Sequence, residues 1–126
     1  MSKTKNRVFV VDDEKDIASV CHMILEDAGF EVDIFTDPSV ALTNFKSNYY
    51  DLAILDIKMP NMDGFELYQK IKELDDKLKI CFLTASEMFY ELFRSKEYSS
   101  IDSDLFIHKP IGNKDLVQKV NKLISS

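Results

Sequence analysis

The sequence predicts an α/β fold in which five short strands alternate with helices around a parallel sheet. Short β-branched or aromatic runs alternate with helical patterns, which is typical of βαβ units. Residues 52–55 are apolar at every position, as expected for a strand that is buried on both faces. The 126 residues are 45% hydrophobic and 30% charged, which suits one core. We therefore expect a single domain over residues 1–126.

The first two βα units have clear start and stop signals. A strand over Arg7–Val11 precedes a helix that ends before Gly29, a residue favoured at helix C-termini. The apolar positions of this helix are Ile17, Val20, Cys21, Ile24, Leu25 and Ala28. The second strand is predicted over Glu31–Phe35. Asp37 and Pro38 then predict a helix start, as an N-cap followed by a first-turn proline, and its apolar face continues through Val40, Ala41 and Phe45.

The third unit contains the central strand of the predicted sheet, over residues 50–55. Asp56 follows this strand, at the position where ligands bind in open α/β sheets. A turn over residues 60–64 leads into the third helix. In this turn Asp63 is the expected N-cap, and Gly64 is expected to tolerate the turn backbone.

The last two units complete the alternation. The fourth strand is predicted over Lys79–Thr84 and is followed by a helical pattern over residues 86–98. The fifth strand is predicted over residues 104–108, directly before Lys109 and Pro110. A turn at Gly112 precedes the last helix, whose apolar face is formed by Leu116, Val117, Val120, Leu123 and Ile124.

Acidic residues and one lysine stand at the ends of these strands. Asp12 and Asp13 follow the first strand, Asp56 the third and Lys109 the fifth. Because the carboxyl ends of parallel strands meet at one sheet edge, we expect the four side chains to converge. Crowded carboxylates need a counter-charge, and clustered oxygen donors favour Mg²⁺, which completes its shell with water and phosphate oxygens. N-capping of the first helix is the alternative role for Asp12 and Asp13.

Charge and hydropathy exclude several classes of function. The formal net charge is −6 and the lysines are scattered among acids, so we expect no direct nucleic-acid binding. No apolar run approaches the roughly 20 residues that span a bilayer, and the N-terminal apolar stretch is too short for a signal peptide. Cys21 and Cys81 lack CxxC partners and are expected in the core. We expect a cytoplasmic protein without membrane contact.

Several motifs in chain order resemble the receiver domain of response regulators, of the stand-alone chemotaxis type. They are VVDDE after the first strand, LDIKMPNMDG around the third, LTAS at the fourth and FIHKP at the fifth. The resemblance covers essentially the whole chain. It implies a flavodoxin-like, doubly wound (βα)5 fold with strand order 2-1-3-4-5, and a chain without an output domain.

The resemblance also implies a function in two-component phosphorelay signalling. A histidine kinase or phosphotransfer protein would donate a phosphoryl group to Asp56 in the presence of Mg²⁺. Asp13 and Asp56 would ligate the metal directly, Asp12 directly or through water, and the backbone carbonyl of Lys58 would add an oxygen ligand. Lys109 would pair with a phosphoryl oxygen and, before phosphorylation, with Asp56. Such a protein catalyses its own phosphorylation and dephosphorylation but is not a turnover enzyme.

Further residues are assigned by the same resemblance to the conformational switch. The Thr84 hydroxyl would donate to the phosphoryl oxygen, and Phe106 would move inward in response. Pro110 would follow a cis peptide that turns Lys109 toward the site. These changes would alter the surface of the 86–98 helix, the fifth strand and the last helix, where a downstream effector protein would bind.

The sequence departs from the usual receiver pattern in three places. The approach to Lys109, EYSSIDSDLFIHKP, lacks the usual Gly-Ala pair and is longer, so the 86–98 helix and its loop are expected to be extended or shifted. That helix also carries more apolar and aromatic residues than one buried face needs. Our hypothesis is a phosphorylation-dependent homodimer or effector contact there, and ordinary half-buried residues are the alternative. Finally, Lys58 and Ser86 flank the expected path of attacking water, so we expect Lys58→Ala to change the acyl-phosphate lifetime without abolishing phosphorylation.

Three other classes of protein share parts of this pattern. In a flavodoxin, the three acids after the first strand would repel the flavin phosphate. A dehalogenase-type phosphatase needs a second acid two residues after its nucleophile, where this chain has Lys58. The runner-up is a phosphorylation-independent binding module with the receiver fold. The intact set of Asp56, Thr84 and Lys109 argues against it.

Overall fold

The computed structural model of the protein describes residues 6–84, 106–109 and 112–125. The strands are β1 (Arg7–Val11), β2 (Glu31–Phe35), β3 (Leu52–Asp56), β4 (Lys79–Thr84) and β5 (Phe106–His108). The helices are α1 (Lys15–Asp27), α2 (Pro38–Asn44), α3 (Gly64–Leu74) and α4 (Asn113–Ser125). The helix predicted over residues 86–98, with its apolar and aromatic surface, lies outside the described residues.

The five strands form one parallel sheet in the order β2-β1-β3-β4-β5, which confirms the predicted fold class and strand order. β3 is the central strand, with Val8 of β1 opposite Leu52 and Ile80 of β4 opposite Ala53. The chain winds toward β2 from β1 and toward β5 from β3. The switch point of the winding, where α/β sheets bind ligands, therefore lies between the carboxyl ends of β1 and β3.

Two hydrophobic cores cover the two faces of the sheet. Alternate strand residues point to opposite faces, so β1, β3 and β4 each contribute to both cores. One core joins α1 and α4 to the strand residues Val8, Val10, Leu52, Ile54, Cys81 and Leu83. The other joins α2 and α3 to Phe9, Val11, Ala53, Leu55, Ile80 and Phe82. Both described cysteines are buried, as predicted.

Helix starts follow the predicted capping chemistry at α2 and α3. Asp37 accepts hydrogen bonds from the backbone N–H groups of Ser39 and Val40, and Asp63 caps α3 in the same way. α1 differs, because its N-cap is Glu14, whose side chain makes no capping hydrogen bond. Neither Asp12 nor Asp13 occupies the N-cap position, so the alternative role predicted for them is wrong.

The central strand is displaced from its predicted range. It begins at Leu52 rather than at residue 50, and it includes Asp56 as its last residue. Tyr50 instead packs on Phe9, with ring centroids 4.9 Å apart, and its hydroxyl donates to Asp33 Oδ2 at 2.7 Å. The ladder between β1 and β3 begins at Val8 and Leu52, and just before it the Arg7 N–H donates to Asp51 Oδ2 at 2.8 Å.

Gly29 ends α1 in the way that the sequence predicts. Its φ of 99° lies in the left-handed region that glycine tolerates without a Cβ clash. Within residues 6–84, 106–109 and 112–125, no helix combines the length and the apolar character needed to cross a bilayer.

Candidate functional site

The polar side chains predicted to converge do meet at the carboxyl edge of the sheet. Asp12 directly follows β1, Asp56 ends β3 and Lys109 directly follows β5. Asp12 and Lys109 lie 97 positions apart in the chain, and the sheet brings them into contact. The sheet order places this pocket at the switch point between β1 and β3.

Lys109 supplies the positive charge of the pocket. Its Nζ lies 2.8 Å from Asp12 Oδ2, 3.1 Å from Glu14 Oε1 and 3.2 Å from Asp56 Oδ1. Only 7% of the side chain is exposed. Burial lowers the pKa of Lys109, but contact with Asp12, the charges of Asp56 and Asp12, and a hydrogen bond to Glu14 more than offset burial and raise the pKa above its ordinary value. Lys109 is therefore an ammonium ion at neutral pH.

Asp12 is completely buried beside this ammonium. Its backbone N–H donates to the carbonyl of Phe35, and its Oδ1 accepts from the backbone N–H of Glu14 at 2.9 Å. Its Oδ2 touches the Lys109 charge but accepts no well-aligned hydrogen bond from any group in the described part of the chain. This oxygen has an ion pair in place of a hydrogen bond, so it is suited to bind a cation.

Asp56 is buried in the same pocket, with 5% of its side chain exposed. Burial raises the pKa of Asp56, and so does the charge of Asp12, while Lys109 lowers it. The net result is a pKa of about 7. The carboxylate form of Asp56 is therefore held by its counter-charge and not by solvent. A bound metal cation would favour that form further.

Gly64 fixes the backbone around Asp56 by its lack of a side chain. Its N–H donates to the carbonyl of Ile57 at 2.8 Å. A Cβ at this position would collide with the carbonyl of Asp56 and come within 2.9 Å of the Ile57 Cα. The sequence prediction gave Gly64 the wrong role, because its φ is not positive and the requirement is close packing.

The carboxylates fit a hard divalent cation. Asp12, Asp13, Glu14 and Asp56 each place one oxygen within 4.8 Å of the others. All the donors are oxygens, and one of them is the poorly satisfied Asp12 Oδ2. Oxygen-only sites with carboxylates suit Mg²⁺, as predicted from the sequence. The assignment of individual residues as metal ligands, including the Lys58 carbonyl, stays a prediction.

Other predicted site residues are placed only by their backbone. Thr84 ends β4 and pairs with His108 of β5, and Phe106 pairs with Phe82. The side chains of Thr84 and Phe106 lie outside what the structure describes, as do Pro110 and Ser86. Their roles therefore stay predictions.

Sequence reasoning missed the part that Glu14 takes in the pocket. The sequence identifies Glu14 only as one of three acids after the first strand. In the structure its carboxylate contacts Lys109, 95 residues away. The run of three acids was the available signal. A glutamate at an N-cap is otherwise poorly suited to capping, since shorter polar side chains are preferred there.

The fold and the pocket together define a class: a flavodoxin-like α/β domain with an acidic, lysine-containing pocket at its topological switch point. The family model of the response regulator receiver domain matches residues 8–121. This chain belongs to that family. The resemblance stated from the motifs is thereby confirmed.

Individual relatives agree with this family. The response regulator SaeR of Staphylococcus epidermidis is 30% identical over 118 residues, which cover 94% of this chain and 50% of SaeR. The chain spans about half the length of this and other curated relatives, such as the transcriptional regulatory protein DltR of Streptococcus agalactiae.

Solved structures show the same fold. The response regulator TrrA of Thermotoga maritima, in complex with Mg²⁺-BeF, is 35% identical with a TM-score of 0.78, covering 94% of this chain and 98% of TrrA. A CheY-like receiver domain protein from Methanospirillum hungatei is 28% identical with a TM-score of 0.82, covering 97% of this chain and 95% of its own.

Proposed function

We propose that this protein is a phosphoacceptor of a two-component phosphorelay, which takes a phosphoryl group from a histidine kinase or phosphotransfer protein onto Asp56. The observation that carries this proposal is the buried Asp56 carboxylate at the end of the central strand, 3.2 Å from the Lys109 ammonium. In its carboxylate form, paired with this ammonium, Asp56 is a competent nucleophile. The family of the chain supports the same reaction class.

Each residue around Asp56 has a different role in phosphoryl transfer. A carboxylate oxygen of Asp56 attacks phosphorus, and the leaving group departs with its electron pair. Lys109 compensates the charge on a phosphoryl oxygen, and the buried position of both groups strengthens this interaction. Gly64 keeps the backbone of the acceptor in place by close packing.

The cofactor we propose is Mg²⁺, held by Asp12, Asp13 and Asp56 with the backbone carbonyl of Lys58. When bound, the metal offsets negative charge on the transferring phosphoryl group. The Mg²⁺-BeF complex of TrrA, a relative 35% identical, supports this choice. The clustered carboxylate oxygens and the poorly satisfied Asp12 Oδ2 support it independently.

The consequence of phosphorylation that we propose is a switch read by protein partners. Thr84 and Phe106 would transmit the presence of the phosphoryl group to the surface that includes β5 and α4, for a downstream effector or a second copy of the chain. The acidic net charge of −6 favours protein partners over direct contact with nucleic acid. The receiver domain of this proposal spans residues 1–126. The protein would catalyse its own phosphorylation and dephosphorylation without being a turnover enzyme.

The test is the intact mass after incubation with acetyl phosphate and Mg²⁺. We expect one added phosphoryl group, which hydroxylamine removes because it is an acyl phosphate. Asp56→Asn and a metal-free sample should show no adduct. Asp16→Asn, which removes an exposed acid from the first turn of α1, should be labelled like the wild type.

Two labelling results would contradict the proposal. A wild-type protein that stays unlabelled with acetyl phosphate, and also with a cognate kinase, would favour the phosphorylation-independent binding module. Labelling that survives in Asp56→Asn would place the acceptor elsewhere.

A further inference from the structure

Glu14 differs from the other two carboxylates that contact Lys109. Asp12 and Asp56 are buried, whereas 60% of the Glu14 side chain is exposed. Its Oε1 nevertheless lies 3.1 Å from the Lys109 Nζ, which is itself nearly buried. Glu14 therefore reaches the ammonium from the solvent side of the pocket.

Helix capping does not explain the position of the Glu14 side chain. Its backbone N–H donates to Asp12 Oδ1, and its backbone carbonyl accepts from the N–H of Ala18. These two bonds hold the backbone at the start of α1. The side chain makes no capping hydrogen bond and instead contacts Lys109.

Lys109 donates hydrogen bonds to Glu14 and to Asp56 and forms an ion pair with Asp12. A lysine has three N–H donors, and here three carboxylate oxygens lie within 3.2 Å of its nitrogen. An incoming phosphoryl oxygen competes with these three carboxylates for the ammonium charge. The Asp56 carboxylate loses its charge when it forms the acyl phosphate, and Asp12 is fixed by burial, so Glu14 is the mobile, charged partner that competes with the phosphoryl oxygen.

We propose that Glu14 is a positioning residue that restrains the Lys109 ammonium before phosphorylation and thereby slows phosphoryl capture by Asp56. This inference rests on the proposed function. With acetyl phosphate, the Asp56 oxygen forms a bond to phosphorus, the donor's bond between phosphorus and the bridging oxygen breaks, and acetate leaves with the electron pair. The N–H that Glu14 holds turns to the incoming phosphoryl oxygen during this step.

The expected effect is modest because the contact is partly exposed. Solvent-exposed ion pairs contribute little free energy. Breaking this one therefore adds a small amount to the activation free energy, which corresponds to about a two- to fivefold change in rate. Glu14→Gln should accelerate phosphoryl loading by about that factor. Glu14→Asp should accelerate it too, since the shorter side chain keeps the charge but cannot reach Lys109.

The experiment compares the loading rates of four proteins with acetyl phosphate and Mg²⁺: wild type, Glu14→Gln, Glu14→Asp and Asp16→Asn. Asp16→Asn is the matched control, because it removes one exposed acid from the same helix start. We expect both Glu14 variants to load faster and the control to load at the wild-type rate. The inference is overturned if Glu14→Gln is not faster, if Glu14→Asp equals the wild type, or if Asp16→Asn gains as much as Glu14→Gln.

A second measurement separates this inference from the proposed function. In metal-free protein without a phosphodonor, the ¹⁵N NMR signal of the Lys109 ammonium reports its ion pairs directly. We expect this signal to shift in Glu14→Gln and to stay unchanged in Asp16→Asn. An unchanged signal in Glu14→Gln would overturn the inference even if phosphorylation occurs. A wild type that takes no phosphoryl group would instead contradict the proposed function while the shift persists.

Discussion

Asp56 and Lys109 show how burial and charge act on single residues in this pocket. Burial and the charge of Asp12 favour the neutral acid of Asp56, whereas Lys109 favours its carboxylate. The folded protein holds Asp56 at a pKa of about 7, compared with 3.8 for an ordinary aspartate. The acceptor is therefore a source of instability that the fold tolerates, which is common at functional sites.

The first prediction concerns the pH dependence of stability without metal. Asp56 keeps its proton up to about pH 7 in the folded state but loses it near pH 4 in the unfolded chain. The stability that this proton gives the folded state is therefore complete below about pH 4 and is lost as the pH rises through 7. Asp56→Asn should remove this loss, which amounts to at most about 1.4 kcal/mol per pH unit. Urea unfolding at pH 5–8 in EDTA measures it. Parallel stability curves for the wild type and Asp56→Asn would contradict the prediction.

The second prediction concerns the counter-charge. Lys109→Ala would leave two buried carboxylates, Asp12 and Asp56, without a cation. Removing one partner of a buried ion pair is strongly destabilising, so we expect a loss of about 3 kcal/mol at pH 8. The loss should be smaller at pH 5, where Asp56 binds a proton. Urea unfolding of Lys109→Ala and of its combination with Asp56→Asn measures this coupling, and an equal loss at both pH values would count against it.

Among the elements, the β3–α3 connection has the most direct effect on the site. Asp63 caps α3 while the N–H of Gly64 bonds to Ile57 and its Cα packs on the Asp56 carbonyl. The acceptor is thus positioned by the helix that follows it as well as by its own strand. Close packing of this kind leaves no room for a side chain.

The third prediction tests this packing. Gly64→Ala places a Cβ against the backbone of Asp56 and Ile57, so we expect it to destabilise by about 1–3 kcal/mol and to slow phosphoryl uptake. Gly112→Ala is the matched control, because its Cβ would meet only Asp115 Oδ2 at an ordinary 3.5 Å. The control should lose less than about 1 kcal/mol, as expected for an N-cap substitution, and keep its uptake rate. Urea unfolding and mass spectrometry measure both effects, and equal behaviour of the two variants would refute the explanation.

Element boundaries show where local sequence signals lose precision. The caps at Asp37 and Asp63 and the stop at Gly29 were predicted correctly, because each depends on bonds within a few residues. The start of β3 was not, because there the Arg7 N–H donates to the side chain of Asp51, 44 residues away. A contact between distant residues overrides local strand propensity there.

For the whole molecule, two apolar cores enclose the sheet and place two buried acids, Asp12 and Asp56, at its carboxyl edge. Asp12 and Asp56 are two of the buried polar residues in the described ranges, and both lie in the pocket. The sheet and its cores hold the carboxylates close together against their mutual repulsion. Such a preorganised cluster stores unfavourable charge that a cation relieves.

The fourth prediction follows from this stored repulsion. Mg²⁺ should raise the melting temperature at pH 7.5, because a ligand that binds only the folded state stabilises it by about 2.7 kcal/mol at a hundredfold excess over its Kd. The increase should be smaller at pH 5, where Asp56 binds a proton, and should be lost in Asp13→Asn. Asp16→Asn should keep the full response. Calorimetric scans measure these shifts, and an unchanged response in Asp13→Asn would exclude that residue as a ligand.

The sequence alone determined the alternation of strands and helices and the polar residues near the strand ends, because hydrophobic periodicity and turn chemistry are local properties. It also determined that Asp12, Asp56 and Lys109 share one sheet edge, since parallel strands bring their carboxyl ends together. Only the tertiary structure decided that Glu14 contacts Lys109, that Asp56 has a pKa of about 7, and that Gly64 is required by packing. These properties depend on burial and on distances between residues remote in the chain, which no local pattern encodes.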